Sequence, residues 1–353
     1  MKRVLAAVLL AGLVMGAVAI CALGNVIGGG KVVPPPGPPK PIPIEKLDAI
    51  DAVIGDLEVG PASSYHGLTI YPLRQRHPGS DFRPLTFDEA MDRGDLTIRE
   101  TERGAVDSVR ARNNGGRPAF LMRGEILGGS RQDRIFRQDV LMPPYSAWVD
   151  VPVYCVEQGR WTPVSEYFST TRHTVNARLR NAAAGEAAQE HIWAGVREQA
   201  AEQGVVQTPN KAFKEIYDAR PVQDRMGEYE RHFGPLPEEG TCGAVAMTRS
   251  EVLGADVFGN ESLFRELWPK LLRSYALDAD MHGVQHVGSP GQVREFLRQA
   301  LSQHAHHGYE STPGAGEMLT IGGATCGKAL VYAGEAVHIQ LYPAATILPM
   351  RER

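Results

Sequence analysis

The chain has 353 residues, 43% apolar and 22% charged, a balance typical of folded proteins and far from that of disordered ones. Its 37 Lys and Arg against 41 Asp and Glu give a formal net charge of -4, which leaves no basic surplus for a nucleic-acid partner. Four cysteines without a CxxC pair exclude a disulfide scaffold and a zinc ribbon.

Met1-Lys2-Arg3 precedes an apolar run from Val4 to Leu23. A basic start followed by such a run reads as a signal peptide or an N-terminal membrane anchor over residues 1–24. The run of about 20 residues is long enough to span a bilayer as a helix. Small residues at Ala22 and Gly24 offer a cleavage site, whereas Ile20 before Cys21 is too bulky for lipoprotein processing. Residues 25–44 then carry Gly28 to Gly30 and the proline cluster Pro34 to Pro43. Closely spaced prolines favour extended polyproline II, so this segment is predicted to be a semi-rigid linker; a Pro-rich ligand for a partner domain is the alternative. The leader predicts an extracytoplasmic domain: periplasmic, secreted, or held at the membrane by its N-terminal helix.

Residues 45–347 alternate between strand and helix patterns without a βαβ rhythm. Leu68 to Leu73 is strand-like, Thr86-Phe87-Asp88-Glu89 is a capping box for a short helix ending at Gly94, and Leu96 to Ile98 resumes a strand. Val106–Arg112 and Arg117–Arg123 flank Asn113-Asn114-Gly115-Gly116, which predicts a hairpin. Strands are predicted at Arg131–Val140 and Val149–Glu157, making residues 57–171 β-rich. Residues 172–236 are helical: Thr174–Gln203 carries the stripe Leu179, Ala182, Gln189, Trp193 and Val196, with further helices over Lys211–Tyr217 and Gln223–His232. Residues 240–347 mix both patterns. Cys242–Met247 is a strand, and Leu263–Leu277 a helix with Leu263, Leu267, Leu271 and Tyr275 on one face and a bend expected at Pro269. A helix capped by Ser289 is expected to run to about His304, and strands follow at Met318–Ile321, Ala329–Tyr332 and Val337–Leu341. The expected fold is a single α+β domain: mainly antiparallel sheet from both ends of the chain, with a helical segment between. Gly240-Thr241-Cys242-Gly243 echoes Ala324-Thr325-Cys326-Gly327, each cysteine opening an apolar strand. Side by side, such strands would place Cys242 and Cys326 in disulfide reach; two small buried residues are the alternative.

Polar residues gather in Gly124-Glu125-Ile126-Leu127-Gly128-Gly129-Ser130-Arg131-Gln132-Asp133-Arg134 and in Val153 to Trp161. Strand alternation puts Gln132 and Arg134 on one face and runs Val149, Val151, Val153, Cys155 and Glu157 along another. If these strands are neighbours, Glu125, Gln132, Arg134, Glu157, Arg160 and Trp161 share a ligand-binding patch. The arginines would fork onto phosphate or carboxylate, the glutamates accept from hydroxyls, and the indole stack on a ring. The competing reading is a buried network in which the arginines neutralise the glutamates and pin the strands. A catalytic reading makes Cys155 a nucleophile with His338 as its base, or gives Glu125 and Glu157 hydrolytic work. Cys155 follows an apolar run and lacks a helix N-terminus to lower its pKa, which counts against the thiol. Asp278-x-Asp280-x-His282-x-x-x-His286 and His304-x-His306-His307 match no zinc pattern, so no metal site is predicted. No motif identifies a cofactor.

The stretches Gly124-Glu125-x-x-Gly128-Gly129-x-x-Gln132-x-Arg134, Val153-x-Cys155-Val156-Glu157-x-Gly159-Arg160-Trp161, Gln189-x-x-x-Trp193 and the Phe264–Ala276 helix resemble a prokaryotic domain family of unassigned activity. That family is named for its association with ADP-ribosylglycohydrolases and rhodanese-phosphatases. The resemblance runs from about residue 45 to about residue 345. It implies chemistry around ADP-ribose or other NAD-derived ligands and brings no established activity. The expected function is therefore binding of a small polar or anionic ligand, a nucleotide or an ADP-ribose relative among the choices. A hydrolase using Glu125, Glu157 or Cys155 is one alternative. A structural or protein-interaction module of the cell envelope is the other.

Overall fold

The computed structural model describes residues 44–101, 106–249, 251–279, 288–302 and 305–344; the leader and almost all of the linker lie outside them. No helix among the described residues is long and apolar enough to cross a membrane. The chain opens with α1 (Ile44–Gly55), then β1 (Leu57–Val59), β2 (Ser63–Tyr65), β3 (Leu68–Gln75) and β4 (Leu85–Thr86). Thr86 and Glu89 form the predicted capping box at the head of α2 (Phe87–Asp92). Next come β5 (Leu96–Glu100), β6 (Ser108–Asn113), β7 (Ala119–Leu121), β8 (Glu125–Gly129), β9 (Arg134–Phe136), β10 (Val140–Met142), β11 (Val149–Cys155) and β12 (Phe168–Thr174). The helical third holds α3 (Ala177–Ala184), α4 (Gln189–Glu202), α5 (Lys214–Asp218) and α6 (Arg220–Phe233). After β13 (Thr241–Thr248) and β14 (Glu251–Phe258), α7 (Glu261–Leu277) contains Pro269 within one helix, and α8 (Pro290–Arg298) starts on the predicted Ser289 capping box. The last strands are β15 (His306–Ser311), β16 (Glu317–Gly322), β17 (Thr325–Tyr332) and β18 (Glu335–Pro343).

The fold is α+β, as the pattern predicts, and its largest sheet joins both ends of the domain. Its order is β1-β3-β13-β14-β18-β17-β16-β15, with β2 paired to β3. Both faces are covered. Successive residues point to opposite sides, so Ile70, Ala244 and Ala246 face one core with α3, α4, α6 and α7, while Tyr71, Val245 and Met247 face a second with α1 and α8. Helix α7 anchors the first core by burying Leu263, Phe264, Leu267, Trp268, Leu271 and Leu272, each contributing about 1.5–3 kcal/mol. A six-stranded sheet, β12-β8-β9-β11-β6-β5, holds a third core, and its end strands meet through a bridge between Arg99 and Tyr167. A three-stranded sheet, β10-β7-β4, lies beside it in the chain order.

Several expectations are corrected. The predicted hairpin does not form: β6 pairs with β5 and β11, while β7 pairs with β10 and β4. The Asn113 side chain fixes this crossing, donating to Arg117 O at 2.8 Å and Pro143 O at 3.1 Å while accepting from Gly115 N at 3.0 Å. Arg131–Val140 is not one strand but β9 and β10 in different sheets, and the break carries Asp139 inward. Thr174–Gln203 is divided at Gly185 into α3 and α4. The helix after Ser289 stops at Arg298. The disulfide is absent as well. β13 and β17 are separated by β14 and β18, so Cys242 and Cys326 lie three strand spacings of about 4.8 Å apart, beyond the roughly 7 Å Cα limit of a disulfide. Cys242 instead donates to Leu73 O at 3.6 Å.

Candidate functional site

The sequence-predicted patch assembles in part. Cys155 on β11 is in register with Arg134 on β9. The Arg134 guanidinium donates to Cys155 Sγ and, at 3.2 Å, to Gln132 Oε1, and pairs with Glu100 at 3.6 Å. Gln132 passes the connection on, its Nε2 donating to Glu157 O at 2.8 Å. Glu157 accepts from Arg160 Nε at 2.8 Å, Arg160 Nη2 at 2.6 Å and Asp133 N at 2.9 Å. Gly159 permits this turn, because a Cβ there would lie 2.1 Å from Pro209 O.

This cluster is closed. Glu157, Gln132, Asp133 and Arg134 are all buried. Arg160 spends its remaining donors on Ser130 O at 2.6 Å and Thr162 O at 3.4 Å from Nη1, and on Gly129 O at 3.3 Å and Asp133 Oδ1 at 3.2 Å from Nη2, so its five N–H groups are engaged within the protein. The hydrogen bonds that Arg160 donates to Glu157 raise the Arg160 pKa. Burial pushes the Asp133 carboxyl upward against the Gly129 amide, and burial lowers the Arg134 pKa. A guanidinium committed to internal acceptors has no fork to offer a ligand. Of the competing readings, the pinning network matches this geometry.

The other predicted members stand elsewhere. Glu125 is buried apart from this cluster, where its carboxylate meets Lys270 Nζ at 2.5 Å and Met122 N at 2.8 Å; Asp88 takes the other side of the same ammonium at 2.8 Å. Trp161 projects outward at 58% exposure, with Val164 and Tyr167 exposed on the same loop. The indole that does meet cations is Trp148, under Arg99 at 4.5 Å and Arg110 at 5.7 Å. Cys155 and His338 belong to different clusters, so the proposed thiol–imidazole pair does not exist. Asp280, His282, His286 and His304 lie outside the described residues, as do the side chains of His306 and His307. Asp278 is described and caps α3 from across the core, accepting from Arg178 N at 3.0 Å and Asn176 Nδ2 at 2.7 Å.

His338 is the centre of a second network that sequence reasoning did not assemble. Its Nδ1 lies 2.6 Å from Asp139 Oδ2 and its Nε2 2.9 Å from Asp256 Oδ1. A ring with a carboxylate oxygen at each nitrogen donates from both, which makes it an imidazolium. Burial opposes that charge, but Asp139 and Asp256 outweigh it and raise the His338 pKa. Asp256 also receives the Arg180 fork, one limb at 2.9 Å, together with the Tyr275 hydroxyl. Burial raises the Asp256 pKa, and Arg180 and His338 more than offset it. Gly124, at φ +83, lets the chain pass over Arg180, where a Cβ would lie 2.6 Å from the arginine Cγ.

Arg123 completes this network from the β7–β8 turn. Its backbone N donates to Asp139 Oδ1 at 2.8 Å and its Nη1 to Gln340 Oε1 at 2.7 Å. Gln340 in turn donates to Asn181 at 3.1 Å. The Arg123 side chain is 1% exposed, its Nε has no hydrogen-bond partner, and among the described residues no carboxylate pairs with its guanidinium. It lines a small cavity of about 20 Å³ together with Arg137, Lys328, Glu186, Glu310 and Met318. Arg137 lies over the Tyr154 ring at 5.1 Å and has no carboxylate partner among the described residues either. Lys328 Nζ meets Glu310 at 3.0 Å, Thr320 at 2.8 Å and Glu186 at 3.5 Å. The signal for this site was faint: Asp256 is the one acid in the buried stretch of β14, and His338 and Gln340 share a face of β18, with Asp256 opposite Gln340.

Residues 56–342 match the family model of the ARG and Rhodanese-Phosphatase-superfamily-associated Protein domain, ARPP-1. The chain belongs to that family. The match takes in every residue of both networks, from Glu100 to Gln340. No curated protein and no solved structure matches the chain.

Proposed function

We propose that this ARPP-1 domain binds a small anionic ligand, a carboxylate or phosphate, in the pocket walled by Arg123, Arg137 and Lys328. The observation that carries the reading is Arg123: a buried guanidinium with no carboxylate partner among the described residues, at the wall of a cavity. Among the described residues its network sets three cations, Arg123, Arg180 and imidazolium His338, against two carboxylates, Asp139 and Asp256, with Arg123 sharing the field of Asp139. Burying a cation in excess of its carboxylates is costly, and an anion in the pocket would relieve that cost. The family's implied link to ADP-ribose chemistry supports a phosphate-bearing ligand. The leader supports an extracytoplasmic setting, which mass spectrometry of the mature N-terminus tests. Calorimetry with inorganic phosphate, acetate and ADP-ribose tests the site. Binding of at least one, weakened about tenfold or more in Arg137→Ala, is expected from the loss of one charge-assisted fork. No binding by any of them, or binding indifferent to Arg137, sinks the proposal.

A second reading rests on the exposed Trp161, Val164 and Tyr167, which suit a protein partner better than a stacked ligand ring. Cross-linking from position 161 to an envelope protein would favour it. Unchanged recovery with Trp161→Ala would end it.

A further inference from the structure

The pocket is electrically lopsided, and that asymmetry says which anions it takes. Arg123 and Arg137 supply positive charge without carboxylate partners among the described residues, whereas Lys328 is shared between two carboxylates, Glu310 and Glu186. Two carboxylates on one ammonium leave negative charge in excess beside the cationic wall. Lys328 is 9% exposed, while Glu186 and Glu310 are 57% and 48% exposed, so the acids form the rim. With about 20 Å³ of water-accessible room, the cavity holds roughly one water or the oxygens of an anionic head, and the rest of a ligand must lie across the rim.

Glu186 reaches the rim from the turn between α3 and α4, where φ is +57 and the amides of Glu186 and Ala187 donate back to Ala183 O and Ala182 O, the ordinary left-handed close of a helix.

We infer that the site selects anions bearing hydroxyl or ammonium groups on the carbons next to the anionic head. The inference rests on the anion site proposed above. The head takes Arg123 and Arg137, and the adjoining donors bond to the free oxygens of Glu186 and Glu310. An anion with an alkyl chain in that position desolvates both carboxylates without replacing their hydrogen bonds, so it binds more weakly.

Calorimetry on the full chain with matched pairs tests this: glycerol phosphate against propyl phosphate, and glycerate against butyrate, with inorganic phosphate and acetate as head-group controls. In the wild type the hydroxylated member of at least one pair binds about tenfold or more tighter, as one or two hydrogen bonds to charged groups predict. In Glu310→Gln and Glu186→Gln that gap shrinks, while affinity for the control anions is unchanged or rises. Glu186→Gly keeps the fold, raises Tm because glycine suits the left-handed φ, and loses discrimination. Equal binding of both members, or a gap that survives in all three variants, overturns the inference while leaving the anion site intact. Failure of the controls and both pairs to bind overturns the anion site with it.

Discussion

The Arg160 and Arg123 clusters are built from the same side-chain types at similar depth, and they differ in what is left over. Around Arg160, the guanidinium's own donors find internal acceptors, and Glu157, Asp133 and Lys214 complete the charge pairing, although Arg134 Nε beside it has no partner. Around Arg123, the carboxylates are consumed by His338 and Arg180, and one guanidinium remains facing a cavity. Charge pairing separates a clamp from a receptor, where residue type, burial and an orphaned Nε, present at both Arg134 and Arg123, do not. The sequence motif richest in charge is the clamp.

The comparison breaks or sharpens under substitution. Arg180→Ala has the largest expected effect: it takes the arginine fork from the buried Asp256, leaving it His338 and Tyr275, and costs about 3–5 kcal/mol, read as a lower urea midpoint. Arg160→Ala unpairs Glu157 and Asp133 and costs about 2–3 kcal/mol, with anion affinity unchanged in the fraction that folds. If it abolished anion binding at full stability, the division between clamp and receptor would be wrong. Arg137→Ala is the converse, changing stability by under about 1 kcal/mol while weakening the anion.

A pH titration extends the contrast to the third polar cluster, near Glu125. Burial, reinforced by Arg273 and Lys270, lowers the His173 pKa from 6.5 to about 4. The unfolded chain therefore takes up a proton between about pH 6.5 and 4 that the folded chain refuses, so this group's share of stability is full above 6.5 and declines on acidification through that window. His173→Gln flattens that slope. Asp278 acts oppositely: burial raises its pKa from 3.8 to about 6, so it removes stability as pH climbs through that range, and Asp278→Asn abolishes the effect. Guanidinium melts across pH 4–7 on the three proteins separate these slopes.

Local chemistry was legible in the sequence, and partnership was not. The Thr86–Glu89 and Ser289 caps are written in adjacent residues and appear where expected. The run Asn113 to Gly116 encodes a turn but not which strands it joins, and Asn113 spends its side chain on carbonyls of the β10 segment to divert the chain. Glu157, Arg160 and Gln132 come together because Gln132 sits just before β9 and Glu157 just after its partner β11. Whether their bonds are satisfied depends on carbonyls such as Ser130 O, to which side-chain patterning is blind. Arg123 looked like the end of a strand; its burial depends on Gln340, 217 residues away.

β18 lies between β14 and β17 in the largest sheet, yet it follows both along the chain. Before it is laid down, β14 and β17 each present an open edge, and Asp139 and Asp256 lack His338. The β17–β18 pairing is a local hairpin, whereas the β14–β18 pairing must close a long loop and forms the slower seam. A chain cut before Glu335 is therefore expected to expose two sheet edges and aggregate, read as loss of soluble protein.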